Sequence, residues 1–117
     1  MRARLLAAGF PAADAEMVDV PGFPNDGGLV AVYRGKNPAL KPLLLLAHID
    51  VMEAKRADWE RDPFKLVEEG GWFYARGASD DKAMAAIFTD TFIRFRQQRL
   101  ETTHRPRLVA GPDRQRH

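Results

Sequence analysis

The stretch Pro42-Leu43-Leu44-Leu45-Leu46-Ala47-His48-Ile49-Asp50 decides how the rest of the chain is read. Its apolar run is too short for a helix and is bounded by turn signals, Asn37-Pro38 before it and a charged loop after it. That pattern belongs to a strand buried on both faces in an α/β sheet. The polar residues come directly after the run, at the carboxyl end of the strand, where open α/β sheets bind ligands. Residues two apart in extended chain project to the same side. His48 can therefore offer one ring nitrogen to a metal while Asp50 accepts a hydrogen bond from the other, which fixes the tautomer. A structural pair at a strand end, or a solvated loop, would use the same residues.

Moving toward the N-terminus, Leu29 to Arg34 alternates in the manner of a strand, and Gly22 to Gly28, with three Gly, one Pro, Asn25 and Asp26, reads as a loop. Glu16 to Val20 is a short alternating stretch closed by Pro21. Leu5 to Ala8 follows Arg2 and Arg4 in the manner of a signal peptide, but the apolar stretch is far below the roughly 7–15 residues of a functional one. An amphipathic helix ended by Gly9 and Pro11 is the plainer reading. A cytoplasmic setting is expected over a periplasmic or secreted one.

Moving toward the C-terminus, Phe64 to Val67 and Trp72 to Ala75 flank Glu68-Glu69-Gly70-Gly71, the signature of a β-hairpin. From Asp80 to about Leu100, Met84, Ile87, Phe88, Thr91, Phe92 and Phe95 fall at helical spacing, with Asp80 and Asp81 placed to complement the helix dipole. Past Leu100 the pattern degrades, and Leu108, Val109 and Ala110 alone suggest another strand. The fold class expected is α/β.

Composition removes several functions. The 117 residues contain no Cys, which excludes a disulfide framework, a thiolate metal site and a catalytic thiol. The longest apolar run, Ala83 to Phe88, is six residues, against the roughly 18 or more of a membrane span. The net charge of +2 is divided unevenly: residues 1–93 carry 11 basic and 14 acidic groups, residues 94–117 seven and two. The basic stretch has no aromatic from Arg99 onward, so neither a nucleic-acid partner nor a membrane is expected.

A second candidate for chemistry is Gly77-Ala78-Ser79-Asp80-Asp81-Lys82, between a strand and a helix. Adjacent carboxylates there serve as helix caps, and carboxylate oxygen together with imidazole is also how borderline cations are held. The stretch Pro42 to Ala86 resembles the M-twenty metallopeptidases, the co-catalytic zinc group of aminoacylases, carboxypeptidases, dipeptidases and desuccinylases. The matching elements, in order, are His48-Ile49-Asp50-Val51, Trp59 with Asp62-Pro63-Phe64, Gly70-Gly71 ahead of Tyr74-Ala75-Arg76-Gly77, and Ser79-Asp80-Asp81-Lys82. Ala83 stands where the family usually has Gly.

The resemblance implies a zinc-exopeptidase-like catalytic domain, with a mixed sheet flanked by helices and one β-hairpin. His48 would ligate one zinc, Asp50 would orient it, and Asp80 would bridge two zinc ions. Asp81 would be joined to Asp80 by a cis peptide. The reaction implied is cleavage of a peptide or acyl-amide bond by metal-activated water, on a peptide or N-acyl amino acid substrate. The family's catalytic Glu pair should follow the strand near Arg107 to Ala110, and no such pair occurs there. Glu68-Glu69 precedes Asp80 and is out of order for the role. His104, His117 and Asp113 receive no function, and both histidines are expected to be exposed. The expected organisation is a partial catalytic domain over residues 1–98 and a divergent basic tail over 99–117, with the lid or dimerisation domain absent. Such a chain would be a fragment, inactive alone, with a shifted reading frame past Leu100 one explanation. The alternative is a non-catalytic remnant or interaction module of the same half-fold.

Overall fold

The computed structural model describes residues 1–112, apart from the side chains of Pro24 and Asn25. α1 (Arg2–Ala7) stops ahead of Gly9 and Pro11, and the chain then enters a four-stranded mixed sheet. Its strands are β1 (Ala15–Val20), β2 (Phe23–Val32), β3 (Leu43–His48) and, after the other elements, β6 (Pro106–Gly111). They lie in the order β1-β2-β6-β3, with β6 antiparallel to β2 and parallel to β3. β4 (Val67–Glu69) and β5 (Trp72–Tyr74) form a separate hairpin whose turn residues Gly70 and Gly71 have φ of 59° and 82°, the left-handed pair that a tight hairpin requires. α2 (Lys82–Gln97) connects this hairpin back toward β6.

The α/β class, the mixed sheet, the β4–β5 hairpin and the long helix all form as the sequence indicates. The stretch Gly22 to Gly28 does not form a loop. Strand β2 already begins at Phe23, and Gly27 and Gly28 pair with Asp19 and Val18 of β1 across a turn at Pro21 and Gly22. Pairing with a neighbouring strand overrides a loop-like composition, because the ladder needs only backbone groups.

The reading of β3 as buried on both faces is also corrected. Leu43, Leu44 and Leu46 are 56%, 51% and 64% exposed. β3 is an edge strand here, and both helices pack on the same face of the sheet, where Leu5 of α1 and Phe92 of α2 meet Leu29, Ala31, Leu108 and Ala110.

The helix is turned relative to the expected stripe as well. Ala85, Thr89, Phe92 and Ile93 are its buried residues, while Met84 and Ile87 face outward. Small residues on the inner face let the helix approach the sheet, and a count of large apolar side chains misses them. Around Phe92 the rings of Phe10, Tyr33 and Phe95 pack at 5.5–6.4 Å between centroids. The Tyr33 hydroxyl reaches the carbonyl oxygens of Phe95 (3.0 Å), which also accepts the Leu100 N–H, and of Leu100 (2.6 Å), just past the end of α2. Asp14 is buried against the Arg34 guanidinium, which donates to it at 2.9 and 2.7 Å.

Candidate metal centre

Because β3 and β6 run parallel, their carboxyl ends share one edge of the sheet, and α2 begins at that edge. His48 is the last residue of β3. Its backbone N–H donates to Asp81 Oδ2 at 3.3 Å, and the next N–H, of Ile49, donates to the Gly111 carbonyl at 3.0 Å. The expected helix-cap role of Asp81 is thereby corrected: it stands at the N-cap position of α2, but its carboxylate makes no capping bond and binds the strand end instead. The Asp80–Asp81 peptide is cis, as the resemblance implies.

Gly77 brings the two segments together. Its φ is +76°, and a Cβ at this position would lie 2.2 Å from Val51 Cγ1. No other residue type allows the Gly77–Asp81 turn to lie so close to the chain that follows His48.

The result joins residues 32 positions apart: His48 Nε2 is 2.9 Å from Asp80 Oδ1. On the other side of the ring, Nδ1 faces the Asp50 carbonyl at 3.3 Å and the Asp50 carboxylate at 3.4 Å. All three candidate residues therefore meet, with the imidazole set between two acidic side chains. Partial desolvation pulls the His48 pKa down, but the Asp80 hydrogen bond, the Asp50 carbonyl and the two negative charges together outweigh it and hold the ring above its ordinary value.

These donors open on a cleft of about 500 Å³ lined by His48, Asp50 and Asp80 together with Met52, Trp59 and Arg76. The Arg76 guanidinium lies 5.2 Å from the centre of the Trp59 ring. Arg76 had no role assigned from sequence, although it precedes Gly77 within the motif. Glu69 pairs with Arg61 and is not among the residues lining the cleft. His104 is exposed, as expected. Asp113 and His117 lie outside the described residues.

Imidazole nitrogen and carboxylate oxygen are the donors that zinc accepts. Two of them bound to one tetrahedral ion at about 2.0–2.1 Å each would stand roughly 3.3–3.4 Å apart. The observed pair needs to open by only a few tenths of an ångström, so its chemistry fits. The number of donors is short of a shell: among the described residues no three His, Cys, Asp or Glu side chains gather as a metal site.

The chain is an α/β domain with a mixed sheet, in which His48 and Asp80 meet at the carboxyl ends of parallel strands. The profile of peptidase family M20/M25/M40 matches residues 44–113, and the chain belongs to this family. It is similar to the N-fatty-acyl-amino acid synthase/hydrolase PM20D1 of Mus musculus, 47% identical over 49 residues, which is 42% of this chain and 10% of that protein. Acetylornithine deacetylase of Dictyostelium discoideum is 29% identical over 90 residues, covering 74% of this chain and 20% of the enzyme. Human carnosine dipeptidase 1 superposes with a TM-score of 0.72 at 25% identity, over 94% of this chain and 24% of that one. The chain thus spans about a tenth to a quarter of the length of these relatives. Peptidases and aminoacylases of this family are hydrolases and generally zinc-dependent. Among the described residues, no helix is long and apolar enough to cross a membrane.

Proposed function

We propose that this chain supplies His48 and Asp80 to a two-zinc centre of an amide hydrolase, with Asp50 as the residue that orients His48. The observation that carries this reading is the 2.9 Å approach of His48 Nε2 to Asp80 Oδ1 at the carboxyl end of a parallel strand. In the metal-free chain Nε2 donates a proton to Asp80 Oδ1; with Asp50 accepting the Nδ1–H, Nε2 is the nitrogen that would exchange this proton for a metal ion. The Asp80 carboxylate is 90% exposed, so its second oxygen is open to a second ion. Zinc, when bound, supplies a water of lowered pKa and polarises the scissile carbonyl. Arg76 and Trp59 line the same cleft as the three candidate residues. The substrate class is an N-acyl amino acid or dipeptide, in keeping with the names of the relatives. Among the described residues no Glu lines the cleft; turnover would need a general base and further ligands beside His48 and Asp80, and little activity is expected of the isolated chain.

Elemental analysis of untagged protein tests the metal assignment. With two donors the wild-type chain should bind zinc only weakly, and at the same free zinc His48→Ala and Asp80→Asn should each bind at least about tenfold less. Equal zinc in all three would refute the ligand roles and favour the non-catalytic remnant.

A further inference from the structure

A second concavity, of about 500 Å³, lies at the far end of α2 from the metal donors. At about 1.5 Å per helical residue, Arg96 stands roughly 22 Å along the axis from Asp81. Tyr33 lines the concavity, and its hydroxyl is fixed on the carbonyls of Phe95 and Leu100. The chain leaving β2 forms one rim and is pinned by backbone bonds, Lys36 N–H to the Thr102 carbonyl at 2.8 Å and Asn37 N–H to that of Thr103 at 3.2 Å. At Gly35 the two segments are so close that a Cβ would lie 2.0 Å from the His104 carbonyl oxygen.

Four cations line this space, Arg34, Lys36, Arg96 and Arg99, against one carboxylate, Glu101. Lys36 pairs with Glu101, and Asp14 takes Nε and Nη2 of Arg34. The side chains of Arg96 and Arg99 are exposed and have no partner among the described residues. The position of Arg99 is informative. α2 ends in a Schellman motif, with Leu100 N–H bonded to the Phe95 carbonyl at 2.9 Å and Arg99 N–H to that of Arg96 at 3.2 Å. The residue in the left-handed conformation of that motif is ordinarily Gly, and here it is Arg99, with φ of 52°. Gly would make the same backbone bonds without placing a Cβ in that region. Arg94 and Arg96 already complement the helix dipole from the last turn. Ending the helix therefore does not account for an arginine at 99, whereas a task for its guanidinium does.

We propose that this concavity binds a small phosphate-bearing anion, with Arg96 and Arg99 donating to its oxygens and Arg34 adding positive charge. A planar guanidinium matches two phosphate oxygens at once. A monocarboxylate would leave one of the two unpaired guanidiniums unmatched. The cavity falls in the size range of small-molecule sites and leaves room for whatever the phosphate is attached to. A nucleic-acid strand would call for aromatic faces beside the cations, but the Tyr33 ring packs against Phe92 and Phe95. The proposal stands apart from the metal reading and does not depend on it.

The test is calorimetric titration of the full chain, dialysed against a chelator, with pyrophosphate at constant ionic strength. Saturable binding is expected, with orthophosphate about three- to tenfold weaker and acetate without effect. Ribose 5-phosphate binding more tightly than orthophosphate would mark the ligand as a phosphate ester, and weaker binding would mark it as the free anion. Arg99→Gly should weaken pyrophosphate at least about tenfold while the denaturation midpoint stays level or rises, a combination that a structural role for Arg99 does not produce. Arg96→Gln, which leaves the Schellman bonds in place, should weaken it at least about fivefold. Lys65→Gln, which removes an exposed cation elsewhere, should change nothing. Absence of saturable binding, or binding that survives both arginine substitutions, would overturn the proposal. An oligothymidylate that binds more tightly than pyrophosphate and depends equally on Arg99 would also overturn it, since a nucleic-acid strand would then be the occupant. Binding should be intact in His48→Ala; its loss there would place the anion at the metal donors and overturn the assignment to this concavity.

Discussion

Leu5, Phe92 and Leu108 are fully closed off from solvent, whereas the side chains of His48, Asp50 and Asp80, at one end of the same layer of elements, keep 31%, 45% and 90% of their surface. The first region is held by area removed from water and tolerates no gap. The second is held by a few directed contacts: His48 N–H to Asp81, Val51 against Gly77, and Arg76 over Trp59. The difference implies that stability and metal capture respond to different substitutions, and the sharpest tests are those that move one without the other.

The largest effect should come from the apolar region. Phe92→Ala removes a fully buried ring that packs against Phe10, Tyr33 and Phe95, and should cost about 3–5 kcal/mol in a denaturant titration. A loss below about 1 kcal/mol would mean that the ring is not in the core. Next is a charged pair rooted in that region. Asp14 keeps 7% of its side-chain surface and Arg34 keeps 74%, so the two partners are not equivalent. Arg34→Met strands a buried carboxylate and should cost about 2–3 kcal/mol, more than Asp14→Asn, which leaves an exposed guanidinium to water. Equal losses would contradict the asymmetry. Neither variant should alter zinc retention.

The same division explains how much of the molecule was legible in its sequence. The pairing of His48 with Asp80 was readable because its information is local: a short apolar strand ending in His48, and a turn ending in Asp80 and Asp81. The geometry that joins them lies in Gly77, whose need for a bare backbone appears only when Val51 is placed beside it. The core was less legible. Its contacts with α2 come through Ala85 and Thr89 as well as Phe92, so a stripe drawn through the largest side chains points slightly the wrong way. β6 reads as a fading pattern because half of its residues are Pro106, Arg107 and Gly111, yet it sits between β2 and β3, with Pro106, Leu108 and Ala110 facing inward. The apparent burial of β3 was misleading for a related reason. A run of leucines records a hydrophobic surface, and which of its faces is covered depends on partners that the run itself does not name.

A substitution at Gly77 links the two regions and should have an intermediate effect. Gly77→Ala places a methyl group within 2.2 Å of Val51 Cγ1 at a φ of +76°. Strain of this kind costs about 1–3 kcal/mol. Relief by moving the turn would carry Asp80 away from His48, so zinc retention should fall as well. Val51→Ala in the same chain should recover part of both losses, and the size of the recovery measures the contact. Strict additivity would show that the Val51–Gly77 approach is not what aligns the pair.

The smallest effect is also the one in which stability and zinc capture respond in opposite directions. His48 is held above its ordinary pKa of 6.5 in the folded chain, with Asp80 and Asp50 together outweighing desolvation. A group raised in this way adds stability that is complete below about pH 6.5 and is lost as pH rises through the folded value. Zinc follows the opposite course, because it competes with the proton for Nε2 and gains as the ring deprotonates. Across that window the apo chain should lose a little stability while its zinc affinity increases, and His48→Gln should remove both slopes. An NMR titration of the His48 ring supplies the decisive number: a midpoint below 6.5 would show that the ring is not held between the two carboxylates, and the metal assignment would lose its geometric basis.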